Sequence, residues 1–273
     1  MVDNYTLNKE PKVKTGPFVK IRRIYRNYRI LQKSQRIKPK EKQRFKERLS
    51  LYAQFIKKGD LCFDVGANIG NRVEPFTELG AIVVAIEPQK SCCRVLRKKF
   101  AKYPNVYIIN KALDKTVGTK EFFIDRSHTL SSMSKEWITA VKNSGRFLSH
   151  KWDDKVTVET TTLDLLIKEY GKPNFCKIDV EGFEWEVIQG LSRPVNMLSL
   201  EFIPEYLDPV LACIEYLSKL GNAEFNYSLG EPISFALSNW VNADDIINIL
   251  QDLPSESQTQ GDIYIRFANH QIQ

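Results

Sequence analysis

Residues 64–72 read Asp-Val-Gly-Ala-Asn-Ile-Gly-Asn-Arg, directly after an apolar run. Gly66 and Gly70 let the backbone turn tightly and come close to a ligand. Between them stand Ala67 and Asn68, so the middle glycine of the Gly-x-Gly-x-x-Gly pattern, where a pyrophosphate approaches the backbone, is absent. Asp64 puts a carboxylate at the mouth of the loop, which repels phosphate and favours a positively charged ligand. The next apolar run ends in Glu87-Pro88, 23 residues after Asp64. A carboxylate there accepts hydrogen bonds from ribose hydroxyls. A third run leads into Asn110-Lys111-Ala112-Leu113, where a small side chain lets an adenine ring lie flat. These positions describe an adenosine ligand whose tail is cationic. S-adenosylmethionine, with an ammonium and a sulfonium and no phosphate, meets that description.

A second stretch, residues 177–184, reads Lys-Ile-Asp-Val-Glu-Gly-Phe-Glu. It follows apolar residues, so Asp179 falls at the carboxyl end of a strand beside the glycine loop. Alternation puts Lys177 and Asp179 on one face, and Glu181 with them if the strand continues. A lysine inside a buried strand needs a counter-charge, and Asp179 is the nearest in sequence. Gly182 permits the turn into a following helix.

Placing these residues requires strands that deliver their carboxyl ends to one edge. Residues 61–65 and 81–86 are short continuous apolar runs, as strands buried on both faces are. Residues 106–109, 119–125, 156–160, 175–178, 197–203, 224–229 and 262–267 read as further strands. Helices fit 73–79, 89–103, 163–170, 184–191, 207–220 and 244–253. This alternation predicts a three-layer α/β domain around a mainly parallel sheet. Residues 126–154 read as a polar, Ser-rich segment between two strands.

The chain has 273 residues, 42% hydrophobic and 27% charged, room for one large domain with a core plus an extension. Its longest purely apolar run is 81–86, far too short to span a bilayer, and no secretory signal pattern opens the chain. Five cysteines without a CxxC pair argue against a disulfide framework or a zinc site. The net charge of +7 is unevenly spread: residues 1–48 carry 16 Lys and Arg against 4 acids, the remainder 24 against 29. The expected division is a basic, partly helical N-terminal extension over 1–48 and a ligand-binding domain over 49–273. Within the extension, Phe18, Ile21, Tyr25 and Tyr28 recur at helical spacing among arginines. A second helical pattern, Phe45, Leu49, Tyr52 and Phe55/Ile56, stops at Lys57-Lys58-Gly59. Such a basic helix suits an anionic membrane surface, the acidic body of its own chain or a second subunit. It is no evidence for a nucleic-acid substrate.

Asp64 to Gly70 preceded by Gly59-Asp60, Ile86-Glu87-Pro88, Asn110 to Leu113, Thr162-Leu163-Asp164 and residues 177–190 (KIDVEGFEWEVIQG) together resemble the FkbM-type methyltransferases. The resemblance runs from about residue 50 to about residue 203. It implies a class I (Rossmann-like) methyltransferase fold with a seven-stranded sheet and S-adenosylmethionine as methyl donor, leaving S-adenosylhomocysteine. The acceptor it implies is a hydroxyl of a sugar, glycolipid, polysaccharide or secondary metabolite. Asp64, Gly66, Ala67, Asn68 and Gly70 would then cup the methionine part. Glu87 with Pro88 would hold the ribose, Asn110 and Ala112 would flank the adenine, and Asp179 would lie near the methyl group. A hydroxyl needs a base as it loses its proton; Asp179, Glu181 and His128 are the candidates. His128 to Met133 matches a Ser-Ser region of the family, bringing Ser131 and Ser132 towards cofactor or acceptor. No metal ligands are assigned, although Asp179, Glu181 and Glu201 could bind a divalent ion if they converge. The alternatives are an NAD-dependent oxidoreductase, disfavoured by the missing glycine and by Asp64, and a binding module without turnover. The expected location is cytoplasmic, at most peripheral to a membrane.

Overall fold

A computed structural model describes residues 39–230, 234–254 and 259–267. The arginine-rich helical pattern of residues 18–28 and the greater part of the basic extension lie outside the described residues. The first described element is α1 (Pro39–Tyr52). It runs across the expected boundary at residue 48, and its Phe45, Leu49, Leu51 and Tyr52 are buried. The helix ends at Tyr52, ahead of the Lys57-Lys58-Gly59 stop. Residues 53–55 form a turn, and Tyr52 and Phe55 both pack on Phe175, with ring centroids 5.7 and 4.9 Å away.

The apolar runs become β1 (Leu61–Val65), β2 (Ile82–Ile86), β3 (Val106–Ile109), β7 (Phe175–Ile178), β8 (Met197–Phe202), β9 (Ala223–Leu229) and β10 (Gly261–Phe267). They form one seven-stranded sheet in the order β3-β2-β1-β7-β8-β10-β9. Only β10 runs against the rest, pairing antiparallel with β8 and β9. Strand order reverses between β1 and β7, where Asp64 lies beside Lys177 and Val65 beside Ile178. Ligands of open α/β sheets bind beyond the carboxyl ends of the strands at such a switch point.

One face of the sheet (Cys62, Val83, Ala85, Phe175, Met197, Tyr264) packs on α1, α2 (Val73–Glu78) and α3 (Lys90–Lys99) through Tyr52, Phe76 and Leu96. The other (Phe63, Val84, Ile86, Ile178, Leu200) packs on α5 (Leu163–Tyr170), α6 (Glu184–Gln189), α7 (Asp208–Leu220) and α8 (Ala243–Gln251). These are the three layers expected. All five cysteines are buried and unpaired. Among the described residues no helix is long and apolar enough to cross a membrane.

Two features depart from the sequence reading. Ala112–Leu113 (β4), Gly118–Ile124 (β5) and Asp154–Thr161 (β6) form a separate three-stranded sheet in the order β4-β6-β5. The segment read as polar and Ser-rich also contains a helix, α4 (Lys135–Asn143). Trp137, Ile138 and Val141 of α4 are buried together with Trp152, so three apolar positions at helical spacing suffice to anchor an otherwise polar stretch.

Candidate active site

The loop after β1 folds back on the end of β2: the amides of Gly66 and Ala67 both donate to the Ile86 carbonyl, at 2.9 and 3.0 Å. Gly66 adopts φ +82°, and a Cβ there would lie 1.8 Å from the Asp179 carbonyl oxygen. Only glycine allows β1 and β7 to approach so closely at their ends. Gly70, at φ +86°, packs where a Cβ would meet the Phe100 ring. Between them Asn68, at φ 48°, donates its amide to Glu87 Oε2 at 2.8 Å, while Gln89 donates to Oε1 at 2.7 Å. Two backbone amides thus pin the Glu87 carboxylate and leave lone pairs on both oxygens. Burial pushes the Glu87 carboxyl up to about 7, against the pull of those amides.

A cleft with about 470 Å³ of empty space, counting the solvent at its open side, lies over these strand ends. Of the residues singled out from the sequence, Gly66, Asn68, Glu87, Pro88, Ala112, His128, Ser131, Asp179 and Glu181 line it. Asp64, Ala67, Gly70, Asn110 and Ser132 are not among its lining residues; Asn110 and Ser132 hydrogen-bond to residues that are. Asn110 Nδ2 donates to the Glu87 and Pro88 carbonyls, both at 2.9 Å. Ser132 Oγ donates to the Glu181 carbonyl at 2.6 Å and accepts from the Ser134 amide at 2.9 Å. His128, at φ 56°, offers its carbonyl to Asn68 Nδ2 and Gln89 Nε2, both at 3.0 Å, and its buried Nδ1 has no partner. Gln89, Lys111 and Met133 also line the cavity and were missed. Position right after Glu87-Pro88 was the one available signal for Gln89.

At the β7 end, Lys177 is fully buried. It pairs with Asp179, the counter-charge expected from sequence, at 3.4 Å, and lies nearer still to Asp262 of β10, at 2.8 Å. The second partner has a topological cause, because β10 inserts beside β8 and brings Asp262 opposite Glu201. Burial opposes the charge on Lys177, yet Asp179 and Asp262 hold it above the usual lysine range. Strand β7 stops at Ile178, so Glu181 does not arrive by alternation. It comes through a turn at φ 55° followed by Gly182 at φ +85°. One carboxylate oxygen from each of Asp179, Glu181 and Glu201 lies within 4.8 Å of the others. Hard divalent cations take oxygen donors of this type, and among the described residues these three are grouped so that they could hold one. Asp179 is raised by burial, but Lys177 and Arg72 outweigh it and keep it below the usual carboxylate range. Burial and then the Asp179 charge push Glu181 and Glu201 well above that range.

Beyond Glu201 lies a second cleft of about 220 Å³, walled by Trp137, Gly182, Glu184, Phe202 and Tyr206 among others. Helix α4 delivers Trp137: Ser134 caps its first turn, accepting from the Trp137 amide at 3.0 Å. A Cβ on Gly182 would lie 2.2 Å from Trp137, so the indole rests directly on the turn that carries Glu181. Buried Glu184 accepts from the Val180 amide at 3.2 Å, and burial pushes it up to about 7.

A sheet of this order with one antiparallel strand and a glycine loop at the switch point is the class I methyltransferase fold. The chain belongs to the methyltransferase FkbM domain family, whose description matches residues 64–252. No curated protein matches it in sequence. Solved structures similar to it include a precorrin-6y C5,15-methyltransferase from Geobacter metallireducens, 11% identical over 82% of this chain and 87% of that one, with a TM-score of 0.45. An O-methyltransferase from Bacillus cereus in complex with SAH is 10% identical over 94% of both chains, with a TM-score of 0.41. A fibrillarin from Aeropyrum pernix with bound S-adenosyl-L-methionine is 9% identical over 77% and 68%, with a TM-score of 0.37.

Proposed function

We propose that this chain is an S-adenosylmethionine-dependent O-methyltransferase acting on a hydroxyl of a saccharide or a similarly hydroxylated metabolite. The observation that carries this reading is the carboxylate group Asp179, Glu181 and Glu201. Asp179 and Glu181 line the large cavity, and Glu201 lines the aromatic cleft, so one set of carboxylates faces a ligand on either side. The large cavity fits an adenosine with a cationic tail. Gly66 lets a ligand reach the backbone, the Glu87 carboxylate keeps free lone pairs for ribose hydroxyls, and Lys111 is the one Lys or Arg lining it, against Glu87, Asp179 and Glu181. Such a wall disfavours the pyrophosphate of NAD.

S-adenosylmethionine, when bound, supplies an electrophilic methyl group on a sulfonium. The remaining task of the chain is to orient an acceptor and take its proton. In this reading Trp137 and Tyr206 offer apolar faces to a sugar ring in the cleft. Glu201, raised by burial and by Asp179, receives the hydroxyl proton, with Glu181 as its companion. Asp179, kept ionised by Lys177 and Arg72, favours positive charge between cavity and cleft. Ser132 and Gly182 set the turn that carries Glu181.

Calorimetric titration of the purified chain with S-adenosylhomocysteine, with NADH in parallel, tests the cofactor. Binding of the first alone is expected; binding of NADH alone sinks the reading. Incubation with isotope-labelled methyl donor and a panel of glycans, followed by NMR of the product, tests the acceptor. A methyl group on nitrogen or carbon overturns O-transfer.

A further inference from the structure

Helix α3 carries a charge pattern that neither cleft uses. Its inner side is apolar: Cys92, Cys93 and Leu96 are buried, as is Phe100 just past its end. On the opposite side Lys90, Arg94, Arg97 and Lys98 recur at three- and four-residue spacing, and Lys102 continues the row. All five are exposed. None of them has a carboxylate partner among the described residues; the ion pair this helix makes is Lys99 with Glu74 of α2, at 2.9 Å. Between Glu87 and Asp114 the chain contains no acid, against seven Lys and Arg.

Helix electrostatics does not ask for this arrangement. The macrodipole favours cations in the last turn, which accounts for Arg97, Lys98 and Lys99. Lys90 opens the first turn, where the dipole opposes it, and that turn holds no acid. Lys90 with Arg94 and Arg94 with Lys98 are like charges four residues apart, and each such pair weakens a helix. The N-terminal segment supplies no counter-charge, since residues 1–48 repeat the same sign with 16 Lys and Arg against 4 acids. A row kept against these costs fits an anionic partner outside the chain.

We infer that the outer face of α3 is a docking surface for an anionic lipid bilayer, with Lys90, Arg94, Arg97, Lys98 and Lys102 turned to the phosphates. At 1.5 Å per residue the helical part of the row runs about 12 Å, a line of charge that meets a plane of headgroups. The uncharged residues exposed along it are Ser91, Val95 and Ala101. None offers an aromatic ring or an amide, the groups that stack on or read bases, so the face answers to charge and not to sequence. Val95 and the apolar stems of the lysines and arginines suit the boundary between headgroups and acyl chains. Lys90 follows Gln89, which lines the large cleft, so one end of the row adjoins that cleft. The inference does not depend on the cofactor or the acceptor proposed above.

The test is co-sedimentation of the full chain with phosphatidylcholine vesicles, with and without phosphatidylglycerol. Binding only to vesicles that contain phosphatidylglycerol is expected, weakening as salt rises. Arg94→Gln combined with Lys98→Gln, an exchange among good helix formers, should leave thermal unfolding unchanged. It should lower the partition coefficient roughly 25-fold, fivefold for each basic residue removed from such a surface. Arg94→Lys with Lys98→Arg keeps the charge and should bind like the wild type. Equal binding to both vesicle types overturns the inference, as does binding to neither. A glutamine double variant that binds vesicles like the wild type also overturns it and leaves the N-terminal segment as the anchor. Should that variant keep its vesicle binding yet lose affinity for a single-stranded RNA, the face belongs to nucleic acid and the inference falls.

Discussion

In the proposed reading Glu87 is the carboxylate that receives the ribose. Two backbone amides fix its oxygens, so on that reading little ordering is left for ribose binding to impose. Glu87→Ala is therefore expected to lower S-adenosylhomocysteine affinity by about 1–3 kcal/mol, the range for a buried charged hydrogen bond. Calorimetry checks it, and an unchanged Kd would remove Glu87 from the site. Glu201 is the proposed base. Glu201→Gln should cut turnover by roughly 10²–10⁴-fold, the contribution of a positioned base, while cofactor affinity is kept. Because burial and Asp179 raise Glu201, kcat/KM should climb as pH rises beyond the ordinary glutamate range. A profile already flat from about pH 5 upward would rule Glu201 out as the base. Glu87 was legible in the sequence because its place at a strand end is local. Glu201 was legible only as a conditional partner, since its neighbours arrive from another strand.

Glycine turns and one helix cap set the elements in place. At Gly182 both conditions for strain coincide: φ is +85°, and a Cβ would strike Trp137. Gly182→Ala is expected to destabilise the fold by at least ~1–3 kcal/mol, the cost of a left-handed non-glycine residue, and to displace Trp137 from the cleft. Thermal unfolding and Trp fluorescence together check this. Turnover should suffer more than S-adenosylhomocysteine binding, because the shift falls on the cleft proposed for the acceptor. A variant with wild-type Tm and fluorescence would show that the indole does not depend on this turn. Helix α4 itself was missed in the sequence because Ser, Thr and Lys dominate the segment. Its signal was the spacing of Trp137 and Val141 with a capping Ser134 in front, a pattern three residues strong in a polar background.

Across the whole molecule, burial of acids couples stability to pH. Asp64, Glu87 and Glu184 rise from 3.8, 4.5 and 4.5 to about 7. Their folded pKa values exceed the unfolded ones, so the stability they contribute is complete below about pH 4 and is lost as pH climbs to about 7. Asp125 and Asp179 are lowered and act in the opposite sense, contributing above their unfolded values and losing that contribution in acid. Urea midpoints at about pH 5 and about pH 7.5 should therefore differ in the ligand-free protein, and Glu184→Gln should shrink its share of the difference. A variant whose midpoint shifts equally at both pH values would mean that Glu184 does not titrate in this window.

What the sequence determined by itself is what contiguous residues encode. Apolar runs and helical spacing predicted the strands and helices of the three layers, and the glycine loop with its two acids marked the switch point. Tertiary structure decided which distant residues meet. Strand β10 enters between β8 and β9, so Lys177 gains Asp262, 85 positions away, beside the Asp179 of its own strand end. The β7 turn and the β8 end bring Glu181 and Glu201 to Asp179. The loop closes with Asp64 Oδ2 and Arg72 Nη1 buried and without a hydrogen-bond partner among the described residues. Local periodicity follows from the geometry of a single element. Partner choice follows from strand order and register, which arise only when all the elements compete for one core.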